Sequence, residues 1–595
     1  MGWFWPALTA AVAADSALLR NRVAAFEALL PSDEPVAPHH RFLTARNVVV
    51  DEATARAASA HAARLGLDAL DLVPGDLPAE LLLDLARLVD PARYRDDALS
   101  PGRGAGQALL VTAELADRAG IVALDGRDPG EMVDLAARIK SYAPRTMGHA
   151  LAPGLRAAPS DGRGRLDSLQ ATIGAPFAAA GFALDVALLA GAARSRRPWA
   201  LAAAAVRVLQ PWLAVAGTAA HPRDLAGAAP ARLMSSARDL PRALGRWVAG
   251  AGDERRRAEY DDLLSGGVDG FFDERRPDCP LCGSRDLAVR LTTDDLLQCK
   301  PGTFTLEQCG ACAHIFQNPQ LNAAGLDFYY RDFYDGAAEG QMGAALSRFK
   351  PFYAARAEML RPAGTPRRWL DVGTGHGHFC LMAREVWPAT TFDGLDMSDT
   401  IVEAERRGWV DTGYRGTFPG HADELAGRYD VVSMFHYLEH TPDPKEQLDA
   451  ATAVLAPGGH LLVEVPDPES RLADVLGPFW PPWGQPQHLH FVTVDNLRAL
   501  LEERGFEVVS VVRGPARIGM DFLGAVTEAT NAVQPAVGVP WVPRPSPAAR
   551  VKRAAALTAS GPALAAGLAV EVALWPLGGR CGTSNAYRLL ARRAD

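Results

Sequence analysis

Three glycines within the stretch WLDVGTGHGHF, Trp369 to Phe379, constrain this chain more than any other feature. They follow a short apolar run that reads as the end of a strand, and helix-like text comes after them. Gly373, Gly375 and Gly377 alternate, so the backbone there can take left-handed torsions and be approached closely by a ligand. The dinucleotide fingerprint G-x-G-x-x-G needs its third glycine at position 378, which is His378. A P-loop is excluded too, because no Gly-Lys-Ser/Thr follows. The loop therefore implies an α/β sheet with a ligand at a strand-to-helix turn, and the rest of the sequence must say which ligand.

At 595 residues the chain exceeds one ordinary core, and roughly two to four domains are expected. With a formal net charge of −9 it has no pervasive basic character, so nucleic acid is not an expected partner. The amino terminus lacks a positively charged start and is interrupted by Asp15, so no cleaved signal peptide is expected.

Residues 1–165 alternate strand-like and helix-like pieces and are expected to form an α/β domain. Asn47 to Val50 (NVVV) and LDALDLV read as strands on either side of an alanine-rich helix. LTARNVVVDEATARAA resembles a strand-and-acid region of family 2 glycosyltransferases, but the paired acids that would hold a metal and a nucleotide sugar are missing. Residues 166–250 hold two apolar spans, Ala171 to Ala193 and Trp199 to Ala220, and an arginine-bearing amphipathic stretch. Each span is about the ~20 residues a bilayer-crossing helix needs. Asp185 and Arg207 lie inside them, which keeps a soluble helical hairpin as the alternative.

Four of the seven cysteines form two C-x-x-C pairs, Cys279 with Cys282 and Cys309 with Cys312. C-x2-C-x26-C-x2-C is the pattern of two tight knuckles whose thiolates converge on one tetrahedral ion. Four thiolates leave no open position, so the expected zinc is structural and residues 275–320 form a small zinc ribbon. The competing redox-active pair needs a thioredoxin-like strand and helix, and CPLCGSRDLAVRL continues into strand-like text instead. Cys299, between the pairs, is a candidate substitute ligand.

From 321 to 595 the α/β alternation becomes regular, and here the sequence resembles the class I S-adenosylmethionine-dependent methyltransferases. Asp371 precedes the G-x-G-x-G loop, the second strand TFDGLD ends in Asp396, LEH follows strand four, and PGG precedes strand five. The resemblance implies a Rossmann-like seven-stranded sheet. It also implies S-adenosylmethionine held by Asp371, Gly373, Gly375, Gly377, Asp396, Met397 and Phe435. In that family the carboxylate at Asp396 accepts both ribose hydroxyls, Met397 lies against adenine, and Asp430 with Phe435 to His440 frames the methionine and acceptor side. The upstream cysteine module with IFQNP and FYYRDFYD is similar to that of deoxysugar C-methyltransferases, which carry a further C-terminal domain not evident here.

If the acceptor is a hydroxyl its proton must leave, and a neutral histidine suits that task. His488 is the first candidate base, His440 the second, and His436 lies beside them. HLHF and EHTPDP are equally readable as structural braces. Trp480 and Trp483 are candidates to roof the acceptor site or to pack a core. An insertion over residues 521–580 ends in a long apolar body that is a candidate to cover the site or touch lipid.

The expected function is thus methyl transfer, on oxygen, to a small-molecule, sugar, envelope-glycan or lipid-linked acceptor. The cell location expected is cytoplasmic, with the apolar segments able to attach the protein to the inner face of the membrane. Two other readings stay open. One is a bifunctional protein whose amino-terminal half is glycosyltransferase-like, and the other is a non-catalytic, membrane-associated assembly protein that binds the cofactor.

Overall fold

The computed structural model describes the chain except residues 1–3, 123–124, 159–168, 170–181, 183–184, 187, 196, 229–237, 244–253, 333–348, 515–520, 575–581 and 595. Most of the Ala171–Ala193 span, most of the amphipathic stretch after it, and Cys581 lie outside the described residues. The chain divides into two compact units, one holding Met1–Trp247 and the other Val248–Gly336 with Arg348–Asp595.

The first unit is built on a five-stranded mixed sheet in the order β4-β1-β3-β2-β5. Its strands are β1 (His40–Ala45), β2 (Ala69–Pro74), β3 (Ala108–Thr112), β4 (Asp125–Arg127) and β5 (Met147–Ala152). β2 is buried along its whole length. The alanine-rich helix forms over Glu52–Leu65, because Asp51 caps its start by accepting from the Thr54 amide at 2.7 Å and Gly66 ends it at φ +62°. Asn47–Val50 is not a strand. Asn47 takes φ +64° and turns the chain out of β1, which leaves Val49 exposed.

The second apolar span forms the helix Pro198–Val215, packed against Phe4–Ala24. Arg207 in that helix donates to Asp185 at 2.6 Å, so the two charges that interrupt the spans pair with each other. Pro198–Val215 and Pro547–Glu571 are, among the described residues, the helices long and apolar enough to cross a membrane by length and composition.

The second unit carries a seven-stranded sheet in the order β11-β10-β9-β12-β13-β16-β15. Its strands are β9 (Arg368–Val372), β10 (Thr391–Asp396), β11 (Gly413–Arg415), β12 (Tyr429–Phe435), β13 (Leu455–Pro466), β15 (Phe506–Gly514) and β16 (Ala586–Arg593). β9 to β13 run parallel, and β16 inserts antiparallel between β13 and β15. From β9 the chain moves outward to β10 and β11, then returns to β12 on the other side of β9. This reversal opens a crevice beyond the carboxyl ends of β9 and β12, the place where open α/β sheets bind ligands.

The cysteine pairs sit on a smaller sheet of order β14-β8-β7-β6, made of β6 (Leu287–Asp294), β7 (Thr303–Cys309), β8 (Ile315–Gln317) and β14 (His490–Phe491). β14 comes from HLHF, 173 residues after β8, and pairs antiparallel with it through His490 and Phe316. Two helices of the insertion, Phe522–Val533 and Pro547–Leu574, pack on each other. Asn531 and Trp541 tie that insertion to the β6–β7 turn by donating to the carbonyls of Leu296 and Gln298 at 2.7 and 2.9 Å.

Candidate functional site

The glycine loop leaves the carboxyl end of β9 at the crevice. Gly373, Gly375 and Gly377 all take positive φ, at +72°, +54° and +81°. A side chain on Gly373 would put a Cβ 2.5 Å from the Tyr437 ring, and one on Gly377 would press on Ala404 and Trp409. A Cβ placed on Gly375 would meet nothing within 4 Å, so that side of its backbone faces open space. Two of the three glycines thus serve close packing, and the middle one leaves room for a ligand.

Asp371 is buried and holds the loop from below. It accepts from Ser433 at 2.5 Å and from Thr374 at 2.8 Å, and burial raises its carboxyl to about 6 against the pull of those hydrogen bonds. Asp396, at the end of β10, accepts from the Gly375 amide at 2.8 Å and from Ser398 through both amide and hydroxyl. A carboxylate offers about four lone-pair sites and these donors use three, so one ribose hydroxyl finds a free site and a second would displace the Ser398 hydroxyl. Met397, the next residue, is an apolar side chain left 70% exposed. Phe435 ends β12 with its ring edge-on to Phe379 at 4.7 Å and under the Arg356 guanidinium.

Asp430 does not reach this end. It opens β12 and accepts from the amides of Arg367 and Arg368 at 2.7 and 3.0 Å, at the amino edge of the sheet. In parallel neighbouring strands the first residue of one lies beside the first residues of the other, a strand length from the loop.

Residues 436 to 440 form the other wall. His436 takes φ +53°, and its ring lies between two buried carboxylates, with Nδ1 3.0 Å from Glu439 and Nε2 3.0 Å from Glu464. Burial opposes its charge, but the two carboxylates outweigh burial and raise its pKa above the usual 6.5. Burial likewise pushes Glu439 upward, and the charge and hydrogen bond of His436 overcome this and bring it down to about 2. Glu464 also binds Arg356, at 3.0 Å from Nε, and Arg588.

His440 and His488 meet edge to face, with ring centroids 4.6 Å apart. The Nδ1 of His440 lies 2.6 Å from the Tyr330 hydroxyl and 3.1 Å from the Gln487 carbonyl. The Nδ1 of His488 donates to the Pro482 carbonyl at 2.8 Å, which fixes the tautomer with its lone pair on Nε2. A side chain on Gly484 would strike the His488 ring at 2.7 Å, so that glycine makes room for it. Burial, then the neighbouring His440, lowers His488 to about 3.

His490 lies elsewhere. It joins β14 to the cysteine sheet, with Nδ1 3.1 Å from His314 and Nε2 3.1 Å from the Pro442 carbonyl. Trp480 and Trp483 are buried among Leu306, Ile315, Leu472 and Phe491, so they pack a small core and do not roof a site. His378 is buried edge-on to Trp409, which makes it part of the loop's packing.

The four cysteine sulfurs lie within 4.8 Å of one another, with Cys279–Cys312 and Cys282–Cys309 both at 3.6 Å. Sulfurs at the ~2.3 Å zinc distance on a tetrahedron stand about 3.8 Å apart, so the set fits that ion. The two knuckles repeat one pattern. Gly283 and Ala313, both at positive φ, donate to the carbonyls of Cys279 and Cys309, whose own amides donate to Ser284 and His314, all at 2.9 Å. Cys299 is outside the cluster, its sulfur accepting from the Ala536 amide at 3.5 Å.

Sequence reasoning passed over Glu439, Glu464, Arg356, Arg588 and Tyr330. A signal existed for two of them. Glu464 is the acid inside the apolar LLVEVP, Arg588 is the base inside YRLLAR, and the two stand opposite each other in register.

Residues 341–511 match a family profile described as a methyltransferase domain. Over 101 residues the chain is 39% identical to a ubiquinone biosynthesis O-methyltransferase of Vibrio parahaemolyticus, covering 16% of this chain and 42% of that one. Over 178 residues it is 29% identical to the protein of the same name from Bordetella avium, covering 27% and 73%. The matched stretch therefore spans about two fifths of the Vibrio relative's length. A solved SAM dependent methyltransferase from Archaeoglobus fulgidus aligns at 17% identity and a TM-score of 0.26, covering 45% of this chain and 99% of that one.

Proposed function

We propose, from the premise that this chain carries a class I S-adenosylmethionine-dependent methyltransferase domain, that the protein transfers the cofactor's methyl group to an oxygen of its acceptor. The observation that carries this reading is the open bare-backbone loop at Gly375 tied to the Asp396 carboxylate at the sheet's reversal. S-adenosylmethionine supplies an electrophilic methyl on a sulfonium. Asp396 would take the ribose hydroxyls, Met397 the adenine face, and Gly373 to Gly377 the backbone approach. Phe435, packed at the end of β12, limits water on the methionine side.

The acceptor stands against His436, His440 and His488. Orientation of the hydroxyl in line with the sulfonium provides much of the acceleration. The hydroxyl's proton passes to a neutral imidazole. His440 suits that step better than His488, because a histidine depressed to about 3 is a weak base. Glu439 beside both rings stabilises the charge that develops.

Zinc on the four cysteines is structural and holds β14 in place. The reduced thiolates that this needs agree with a cytoplasmic setting. The relatives' printed names concern ubiquinone biosynthesis, which supports an oxygen acceptor on a small or lipid-linked molecule. Exposed Val551, Leu568 and Val570 on the helix Pro547–Leu574 favour the lipid-linked member of that set and contact with the inner membrane face.

The test is methyl transfer from radiolabelled S-adenosylmethionine by the full chain into a lipid and glycan extract from cells lacking the protein. A product one methylene heavier, absent with Asp396→Ala, is expected. No labelled product with any fraction would contradict the reading.

A further inference from the structure

Glu439, His440 and His488 each offer one ligand atom, and the three atoms lie within 4.8 Å of one another. We propose that these three side chains bind a divalent transition-metal ion, a second metal site distinct from the four cysteines. The inference rests on the acceptor side of the function proposed above, and it adds a metal to that side.

Two oxygens of one carboxylate behave differently here. Glu439 Oε1 takes the Nδ1 of His436 at 3.0 Å, while Oε2 is buried and has no hydrogen-bond partner among the described residues. The residue is 1% exposed, so water does not satisfy that oxygen from bulk. A buried carboxylate oxygen left without a partner costs stability unless a cation or donor meets it. Glu439 thus brings to the cluster with the two imidazoles a carboxylate that has one oxygen unsatisfied.

The supporting contacts are those of ligands held for a metal. Histidine ligands usually donate their second ring nitrogen to a carbonyl or carboxylate, which sets the tautomer and the ring plane. His488 does this through Nδ1 to Pro482, and the Nδ1 of His440 sits 3.1 Å from the Gln487 carbonyl. The carboxylate is fixed in the same way through His436. The backbone is held as well, since the Leu489 amide donates to the Glu439 carbonyl at 2.7 Å and joins the two ligand segments.

Two imidazoles and one carboxylate suit zinc, and three protein ligands leave a position for an oxygen of another molecule. Such a position beside the glycine-loop crevice would select acceptors that present a hydroxyl, or two adjacent ones, to the ion. A ring nitrogen bound to metal is not a base, so with an ion bound His440 would not take the acceptor's proton; the ion would lower the pKa of the acceptor hydroxyl, and the proton would leave to water.

The test counts zinc. The full chain is purified with Zn2+, cleared of loose metal, and its zinc per chain measured by plasma mass spectrometry. His488→Gln, Glu439→Gln and the surface control His421→Ala are treated alike. The parent and His421→Ala are expected to hold one more ion per chain than either ligand variant. Because a buried substitution can unfold the protein, the parent is also titrated calorimetrically with Zn2+ after mild chelation that leaves the cysteine-bound ion. One further equivalent is expected, and heat from none overturns the proposal. S-adenosylmethionine binding is measured on the same samples. If the cofactor binds and no extra zinc does, the metal inference fails alone. If the cofactor does not bind, the methyl-transfer reading fails whatever the zinc count.

Discussion

Glu464 on β13 and Arg588 on β16 stand directly opposite each other across an antiparallel pair, and both are buried. Arg356 reaches the same carboxylate from the helix Lys350–Glu358, and His436 lies against it. One acid thus pairs with two guanidinium groups and steadies the wall that carries Glu439.

Removing that acid should be costly. Glu464→Ala would leave two buried cations without their partner, and such losses run about 3–5 kcal/mol. Denaturant unfolding of the full chain, followed by a probe in the second unit, should show a destabilisation of that order. A change below about 1 kcal/mol would mean that water reaches the network.

The glycines of the loop should separate by role. Gly373→Ala places a Cβ 2.5 Å from Tyr437 at φ +72°, so both the loop and the ring must move. Gly375→Ala meets no atom within 4 Å. Thermal melting should fall further for Gly373→Ala, while cofactor affinity falls in both. Equal melting temperatures would remove the packing role given to Gly373.

Metal on the cysteines should be felt at the acceptor wall. β14 closes the cysteine sheet two residues after His488, and Asn496 donates to the Cys312 carbonyl at 2.8 Å. Cys282→Ser should therefore raise hydrogen exchange over residues 487–491 and reduce methyl transfer, with cofactor affinity close to the parent's. Unchanged exchange in that segment would break the link between zinc and the site.

The His436–Glu439 pair should leave a signature in pH. The folded pKa of His436 is raised above 6.5, so its contribution is full below 6.5 and fades as pH rises through the folded value. Glu439 is lowered from 4.5 to about 2, so its contribution is present above 4.5 and is lost as pH falls toward 2. The melting-temperature difference between the parent and Glu439→Gln should be largest between pH 4.5 and 6.5 and shrink on both sides. A difference that is flat with pH would show that the two residues do not share a charge.

The carboxyl-terminal sheet was legible because its signals are local. TFDGLD forms β10 and ends in Asp396 as read from the sequence, and LEH follows β12, which is formed by YDVVSMF. Asn47–Val50 misled because three valines suggest a strand, while the left-handed torsion of Asn47 settles the turn. Partners distant in sequence were not legible. Nothing near HLHF says that His490 will pair with Phe316, or that Tyr330 will meet His440. Trp480 and Trp483 look the same in sequence whether they roof a site or fill a core.

Calorimetry with S-adenosylmethionine on the full chain and on Asp396→Ala tests the central claim most directly. The account predicts one binding event per chain in the parent, weakened at least tenfold, about 1.4 kcal/mol, when the carboxylate is gone. No binding to the parent, or equal affinity in the two proteins, would contradict it.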